Sequence, residues 1–189
     1  SHSLNPRWNI INDSNLHFRM SIVLPTLSLS SREWLEKNEY FHPSFVARGR
    51  SAGIWKVEKN GKFFAAKIEH WKSRRAGMIE KEARLLHMAN TVGVGPRLIE
   101  WDARANILVM EFIEGVPFAV FLKTCASKKQ MEKAVRALAA QAQALDAGGI
   151  DHGQLGGKLH NILVDKKSRV WIIDFEKASY VRKTRNVSK

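Results

Sequence analysis

Cysteine is almost absent from this sequence: Cys125 is the only one among 189 residues. No disulfide can form within the chain, which excludes small stapled secreted folds and agrees with a reducing compartment. Long apolar runs are missing as well. The longest, such as VPFAVFL at 116–122, fall far short of the ~20 residues a membrane helix needs. The first residues show no basic start leading into an apolar segment, so no secretory signal is read there. Internal repeats and low-complexity tracts are lacking too. The expectation is a soluble, cytoplasmic protein with no membrane partner. Acid is the other scarcity. Eighteen Asp and Glu face 31 Lys and Arg, a formal net charge of +13. Such an excess attracts polyanions (nucleotide phosphates, nucleic acid, an anionic surface) and says nothing about the fold. Against these shortages stands an ordinary 44% of hydrophobic residues, enough for a core in one domain or two small lobes.

Residues 1–30 are set apart as an arm. Within it SHSLNPRWNIINDSNLHFR is Asn- and Ser-rich without a sustained period; it is either an ordered arm or vector-derived sequence before a start at Met20. SREWLEKNE at 31–39 reads as a short helix capped by Ser30 or Ser31. Strands follow at 44–49 and 54–59, joined by the small-residue turn GRSAG at 49–53. Asn60-Gly61 marks a tight hairpin, because both residues tolerate positive φ. It leads into KFFAAKIE, where Phe64, Ala66 and Ile68 share one face and Phe63, Ala65 and Lys67 the other. A helix spans about 74–90 and ends at Gly93 and Gly95. RLIEWD and NILVMEF make the next hairpin. The helix at 128–147 carries Met131, Val135, Leu138, Ala142 and Leu145 on one stripe, with Ser127 and Gln130 as a capping box and Gly148-Gly149 as its stop. Short strands at 161–164 and 170–174 complete the pattern. A strand-rich half with one helix precedes a helix-led half, so the fold class is α+β, with lobes at 31–113 and 114–189.

Four features bear chemistry. In GRSAG the missing side chains let backbone N–H groups approach a phosphate, although a plain hairpin loop has the same composition. Lys67 lies fourteen residues past Gly53 on an otherwise apolar strand, where an ammonium is costly without a counter-charge. Glu82 can supply one. At 100° per residue it falls among Met78, Ile79, Leu85, Leu86 and Ala89, while Glu80 sits well away. The alternative is local pairing of Glu82 with Arg75 or a reach to solvent. Lastly, VWIIDFE is a buried strand ending on Asp174. A carboxylate at a strand's open end suits Mg²⁺, a hard cation that keeps several waters, and Asn161 on HNILV offers a second oxygen.

In this order the features resemble the protein-kinase fold, over residues 44–180. GRSAG is similar to its nucleotide loop (Gly49, Arg50, Ser51, Ala52, Gly53), AAK to its strand lysine and MEF-I-EG to its hinge. HG-x-L…N is similar to its catalytic loop and IDFE to its metal-binding tripeptide. HG-x-L with IDFE, instead of HRD with DFG, is closer to RIO-type atypical kinases and to the kinase-like subunit of the KEOPS tRNA-modification complex. The small-molecule phosphotransferases are more distant. The resemblance implies a two-lobed α+β fold with an antiparallel-sheet N-lobe and a reduced helical C-lobe. It implies a Ser/Thr protein kinase-like enzyme that binds ATP with Mg²⁺ and transfers the γ-phosphate to a protein acceptor or works beside a partner subunit. Lys67, paired to Glu82, would hold the α- and β-phosphates, and Asp174 with Asn161 the metal. Ala65 would roof the adenine, Met110 would be the gatekeeper, and the Glu111 carbonyl and Ile113 amide would hold the adenine edge. His152 would brace the catalytic loop.

Three departures from the family pattern follow. The catalytic aspartate of HGD is replaced by Gln154, and an amide cannot act as general base. Asn161 lies seven residues after Gln154 where the pattern has five, so Asp151 is a candidate substitute carboxylate. Only fifteen residues follow Asp174, which leaves no room for an activation segment: either a minimal kinase lobe or a clipped chain. Two rival functions remain. One is an ATPase in which Gln154 orients water; the other is a pseudokinase, a nucleotide-gated module in an RNA-processing assembly. The basic stretch with Lys177, Arg182, Lys183, Arg185 and Lys189 is either a solvated terminus or an RNA contact.

Overall fold

The computed structural model describes residues 25–70, 77–156 and 159–187. The arm at 1–19, residues 74–76 of the expected helix, 157–158 of GGKLH, and Lys189 lie outside the described residues. Helix α1 (Leu29–Lys37) starts two residues before the expected position. Ser28 is its cap, in place of Ser30 or Ser31, because the Ser28 hydroxyl accepts the Ser31 N–H at 3.1 Å.

Strands β1 (Phe41–Arg48), β2 (Ala52–Lys59) and β3 (Lys62–Glu69) form an antiparallel meander. Asn60 and Gly61 turn β2 into β3 at φ 52° and 69°, the positive values that a two-residue hairpin demands. Helix α2 (Met78–Thr91) then leads to β4 (Leu98–Asp102) and β5 (Ile107–Glu111). The sheet order is β1-β2-β3-β5-β4. Alternation along it separates two environments. Trp55, Val57, Ala66, Ile68, Ile107 and Val109 pack with Leu35 and Tyr40 beneath α1. Leu108, on the opposite face, meets Ile79 and Ala83 of α2.

Beyond Glu111 the chain leaves the sheet through residues 112–114 and enters β6 (Gly115–Pro117), then α3 (Phe118–Thr124). Neither element was expected from sequence. Three residues are too few to show alternation, and VPFAVFL carries no legible period. Helix α4 (Lys128–Ala147) keeps its expected bounds, with Ser127 Oγ accepting the Gln130 N–H at 3.3 Å. Its buried stripe, however, runs through Ala134 and not Val135, which is 49% exposed. Small side chains face β8 there, and Gln141 donates to the Val170 carbonyl at 2.7 Å.

Strand β7 (Ile162–Asp165) pairs with β6 on one side and with β8 (Val170–Ile172) on the other in a second antiparallel sheet. The last strand therefore ends at Ile172. Asp174 is not its final residue but a left-handed turn at φ 65°, which Asp tolerates better than most residues. A 3₁₀ turn, Phe175–Lys177, follows. The second core gathers Leu85, Leu86 and Ala89 of α2 with Leu145, Ile162, Ile172 and Phe175. Helix α2 thus contributes to the core on both sides of the cleft. No helix among the described residues is long and apolar enough to cross a membrane.

Candidate active site

The cleft between the two sheets has two adjoining compartments. The first, about 290 Å³, is an apolar slot whose lining includes Ala47, Ile54, Ala65, Met110, Leu163 and Ile173, with Glu111, Phe112 and Ile113 along its hinge side. The second, about 430 Å³, is polar and is bounded by Gly49, Arg50, Ala52, Gln154, Asn161, Asp174 and Glu176. Ile54, Lys67, His160 and Asp174 line both.

Strand alternation aims Lys67 at this junction. Its Nζ lies 2.7 Å from Glu82 Oε2, 3.0 Å from Asp174 Oδ1 and 3.9 Å from Glu176 Oε2. Three carboxylates therefore surround one buried ammonium. Burial works against the Lys67 charge, but Glu82 and Asp174 outweigh it and hold the lysine well above its ordinary value. Burial likewise opposes ionised Asp174, yet Lys67 prevails and its pKa is lowered. Glu82 is the most enclosed of the three. Burial pushes its carboxyl up to about 7; Lys67 opposes this, while Asp174 and Glu176 add to it. One cation among three anions leaves the innermost acid inclined to keep its proton.

A pH dependence follows. The folded state raises the Glu82 pKa from its ordinary 4.5 to about 7, so it binds the proton more tightly than the unfolded chain. The protein should therefore lose about 1–3 kcal/mol of stability as pH rises from about 4.5 to about 7. Glu82→Gln should flatten that decline, as read from urea midpoints across the window. An unaltered slope would show that Glu82 does not titrate there.

The residues of the predicted glycine turn divide. Gly49, Arg50 and Ala52 line the polar compartment, Gly53 does not, and Ala52 and Gly53 already belong to β2, opposite Glu69 and Ile68. The β2–β3 ladder runs to the end of the turn, so the loop is shorter than GRSAG. Ser51 is buried and donates its hydroxyl to Glu176 Oε2 at 2.8 Å, joining the turn to the far side of the cleft. Asn161 is buried too, its side-chain amide donating to Gln154 Oε1 at 3.4 Å and its carbonyl accepting the Ile173 N–H at 2.8 Å. His152 is fully buried, its Nε2 3.0 Å from the Ile173 carbonyl and its ring edge-to-face with Phe175.

Asp151 is not brought to the cleft. It borders neither compartment; its Oδ2 accepts from Arg182 Nε at 2.9 Å, and its backbone pairs with Ser179 in both directions. Asp151, the candidate substitute carboxylate, is held there by Arg182 and Ser179, two residues before the left-handed turn at Gly153. In the basic stretch Arg182, Lys183 and Arg185 are exposed. Ala178 and Asn186 are buried, so the basic stretch is folded onto the second lobe. Glu176 was overlooked. The acid–aromatic–acid spacing of DFE was visible, but only the left-handed turn at Asp174 shows that both carboxylates point to Lys67.

A strand lysine shared between a helix glutamate and an aspartate across an apolar slot defines a protein-kinase-like protein, and the sheet order β1-β2-β3-β5-β4 with its single inserted helix agrees. Residues 54–187 match the RIO domain family. The chain belongs to this family of atypical kinase-like proteins. It is also 33% identical over 101 residues to the KEOPS complex subunit Bud32 of Pyrococcus abyssi (strain GE5 / Orsay), a match spanning 53% of this chain and 44% of that protein.

The donors suit Mg²⁺ with a nucleotide. Among the described residues no three His, Cys, Asp or Glu side chains form a metal cage. Mg²⁺ needs none, because it binds through one or two protein oxygens and takes the rest from phosphates and water. Asp174 and Asn161 border the polar compartment and would hold it.

Proposed function

We propose that the protein binds Mg-ATP in this cleft and transfers the γ-phosphate slowly to a protein Ser or Thr hydroxyl. The supporting observation is the position of Lys67 and Asp174, in contact with each other at the boundary of the apolar slot and the polar compartment. Adenine would fill the slot under Ala65, beside the 111–113 backbone. Lys67 would neutralise the inner phosphates. Bound Mg²⁺ would supply charge neutralisation on the outer phosphates. In the transfer step the acceptor oxygen forms a bond to phosphorus while the bond to the ADP oxygen breaks. Gln154 Oε1 can accept a hydrogen bond from the attacking hydroxyl but cannot take its proton, which passes to a phosphoryl oxygen or to solvent.

A second reading, hydrolysis, draws on the same amide: Gln154 borders the polar compartment beside Asn161 and could orient water there. Membership of an RNA-processing assembly draws on the likeness to a KEOPS subunit. An RNA contact through the basic stretch draws on net charge alone, and Arg182 is already engaged with Asp151. ATP turnover with and without a protein acceptor separates the readings: labelled acceptor supports transfer, free phosphate alone hydrolysis, and binding without turnover a nucleotide-gated module.

Asp174→Asn retains shape and removes the charge a hard cation needs. Titration calorimetry should show Mg-ATP affinity falling by about tenfold or more, the metal affinity loss expected when a ligand's charge is removed. Equal affinity in the variant would refute Asp174 as metal ligand.

A further inference from the structure

The stretch from Ala178 to Val187 closes over the loop that carries Gln154, and one buried side chain makes the closure. Asn186 is 5% exposed. Its Oδ1 accepts the His152 N–H at 2.9 Å, and its Nδ2 donates to Asp146 Oδ1 and the Ile150 carbonyl, each at 2.6 Å. The backbone N–H groups of Asn186 and Val187 donate to the two Asp146 oxygens at 3.0 and 3.2 Å. Both amide donors and the acceptor of Asn186 are thus used. Arg182 supports the same loop, with Nε on Asp151 and Nη2 on the Lys177 carbonyl. Gly153 turns at φ 78° directly beneath it, where a Cβ would come within 2.5 Å of the guanidinium.

We infer that Asn186, together with Asp146, is a positioning pair: it fixes the backbone of residues 150–153 and through it sets Gln154 in the polar compartment. The inference rests on the phosphate-transfer reading above. A fully satisfied buried amide selects one backbone arrangement more sharply than apolar packing does. None of its partners lines the apolar slot or touches Lys67, so its loss should reach Gln154 without reaching the nucleotide.

The test uses the full chain and four variants: Asn186→Ala, Asn186→Asp, Asp146→Asn, and the double exchange Asn186→Asp with Asp146→Asn. Asn186→Ala should lower turnover of Mg-ATP by about 10–100-fold, the loss associated with displacing a reacting group by ~1 Å. The nucleotide Kd should stay within about threefold, separating turnover from binding. Asn186→Asp alone sets two carboxylates against each other. The double exchange removes the carboxylate–carboxylate contact. It also sets the new carboxylate against the Ile150 carbonyl and the new amide against a backbone N–H, so turnover should recover only in part relative to Asn186→Asp. Independently, the His152 amide should exchange with solvent about tenfold faster in Asn186→Ala while amides of the first sheet do not change. The Gln154 side-chain amide resonance should also move toward its unfolded position. If the native protein turns over no ATP, the transfer reading fails, and the Gln154 resonance alone decides: a shift sustains the positioning pair, no shift overturns it. With an active native protein, unchanged turnover in Asn186→Ala overturns it, as does an equal fall in turnover and nucleotide affinity.

Discussion

Lys67→Met should destabilise the protein by about 3–5 kcal/mol, the cost of removing one partner from a buried ion pair. The reason is the charge count. Glu82, Asp174 and Glu176 all lie within 4 Å of a single ammonium, and Lys67 Nζ is the atom they share. Without it three carboxylates face one another in a low-dielectric space. The penalty should be asymmetric. Glu82→Gln leaves Lys67 bound to Asp174 and removes an acid that burial already inclines to protonation, so it should cost about 1–2 kcal/mol or less. Urea denaturation of the two variants measures both values. Equal costs would mean that the cluster behaves as an isolated Lys67–Glu82 pair and that Asp174 and Glu176 do not share the lysine.

Gln154→Asp should raise phosphate transfer to a protein hydroxyl by roughly tenfold or more, since a positioned base contributes ~10²–10⁴-fold. Gln154 borders the polar compartment and already touches Asn161, so Asp would place a carboxylate at the same backbone position, one methylene closer to it than the amide. Because Asp151 is bound to Arg182 and Ser179, Asp151→Asn should leave the slow native transfer step within a few-fold. Its expected effect is a weaker hold on residues 178–182. Single-turnover kinetics with radiolabelled ATP compares the variants. Loss of transfer in Asp151→Asn with no gain in Gln154→Asp would return the base to Asp151 and contradict the placement seen here.

Much of the first lobe was legible because its signals are local. Asn60-Gly61 requires a tight turn, and the alternation of β3 then assigns Ala66 and Ile68 to the core and Lys67 to the cleft. Helix periodicity singled out Glu82 over Glu80, and the structure buries Glu82 while Glu80 pairs on the surface with Arg84. The second lobe was less legible. Strand β6 is three residues long, and the identity of Asp151's partner depends on a residue 31 positions away.

What the sequence by itself determined is whatever a few neighbouring residues decide: the Ser127 cap and glycine stop of α4, the turn at 60–61, and the face on which each strand or helix residue lies. Those choices depend on backbone sterics and on hydrogen bonds spanning at most a few residues. Tertiary structure alone decided which charges meet. Lys67 and Asp174 are 107 residues apart, Ser51 and Glu176 are 125, and Asn186 stands 34 residues beyond the His152 amide it accepts from. Such pairings follow from how two sheets dock across α2 and from one left-handed residue at Asp174. A carboxylate in the sequence carries no mark of whether that docking will leave it in water, on a surface arginine, or around a buried lysine.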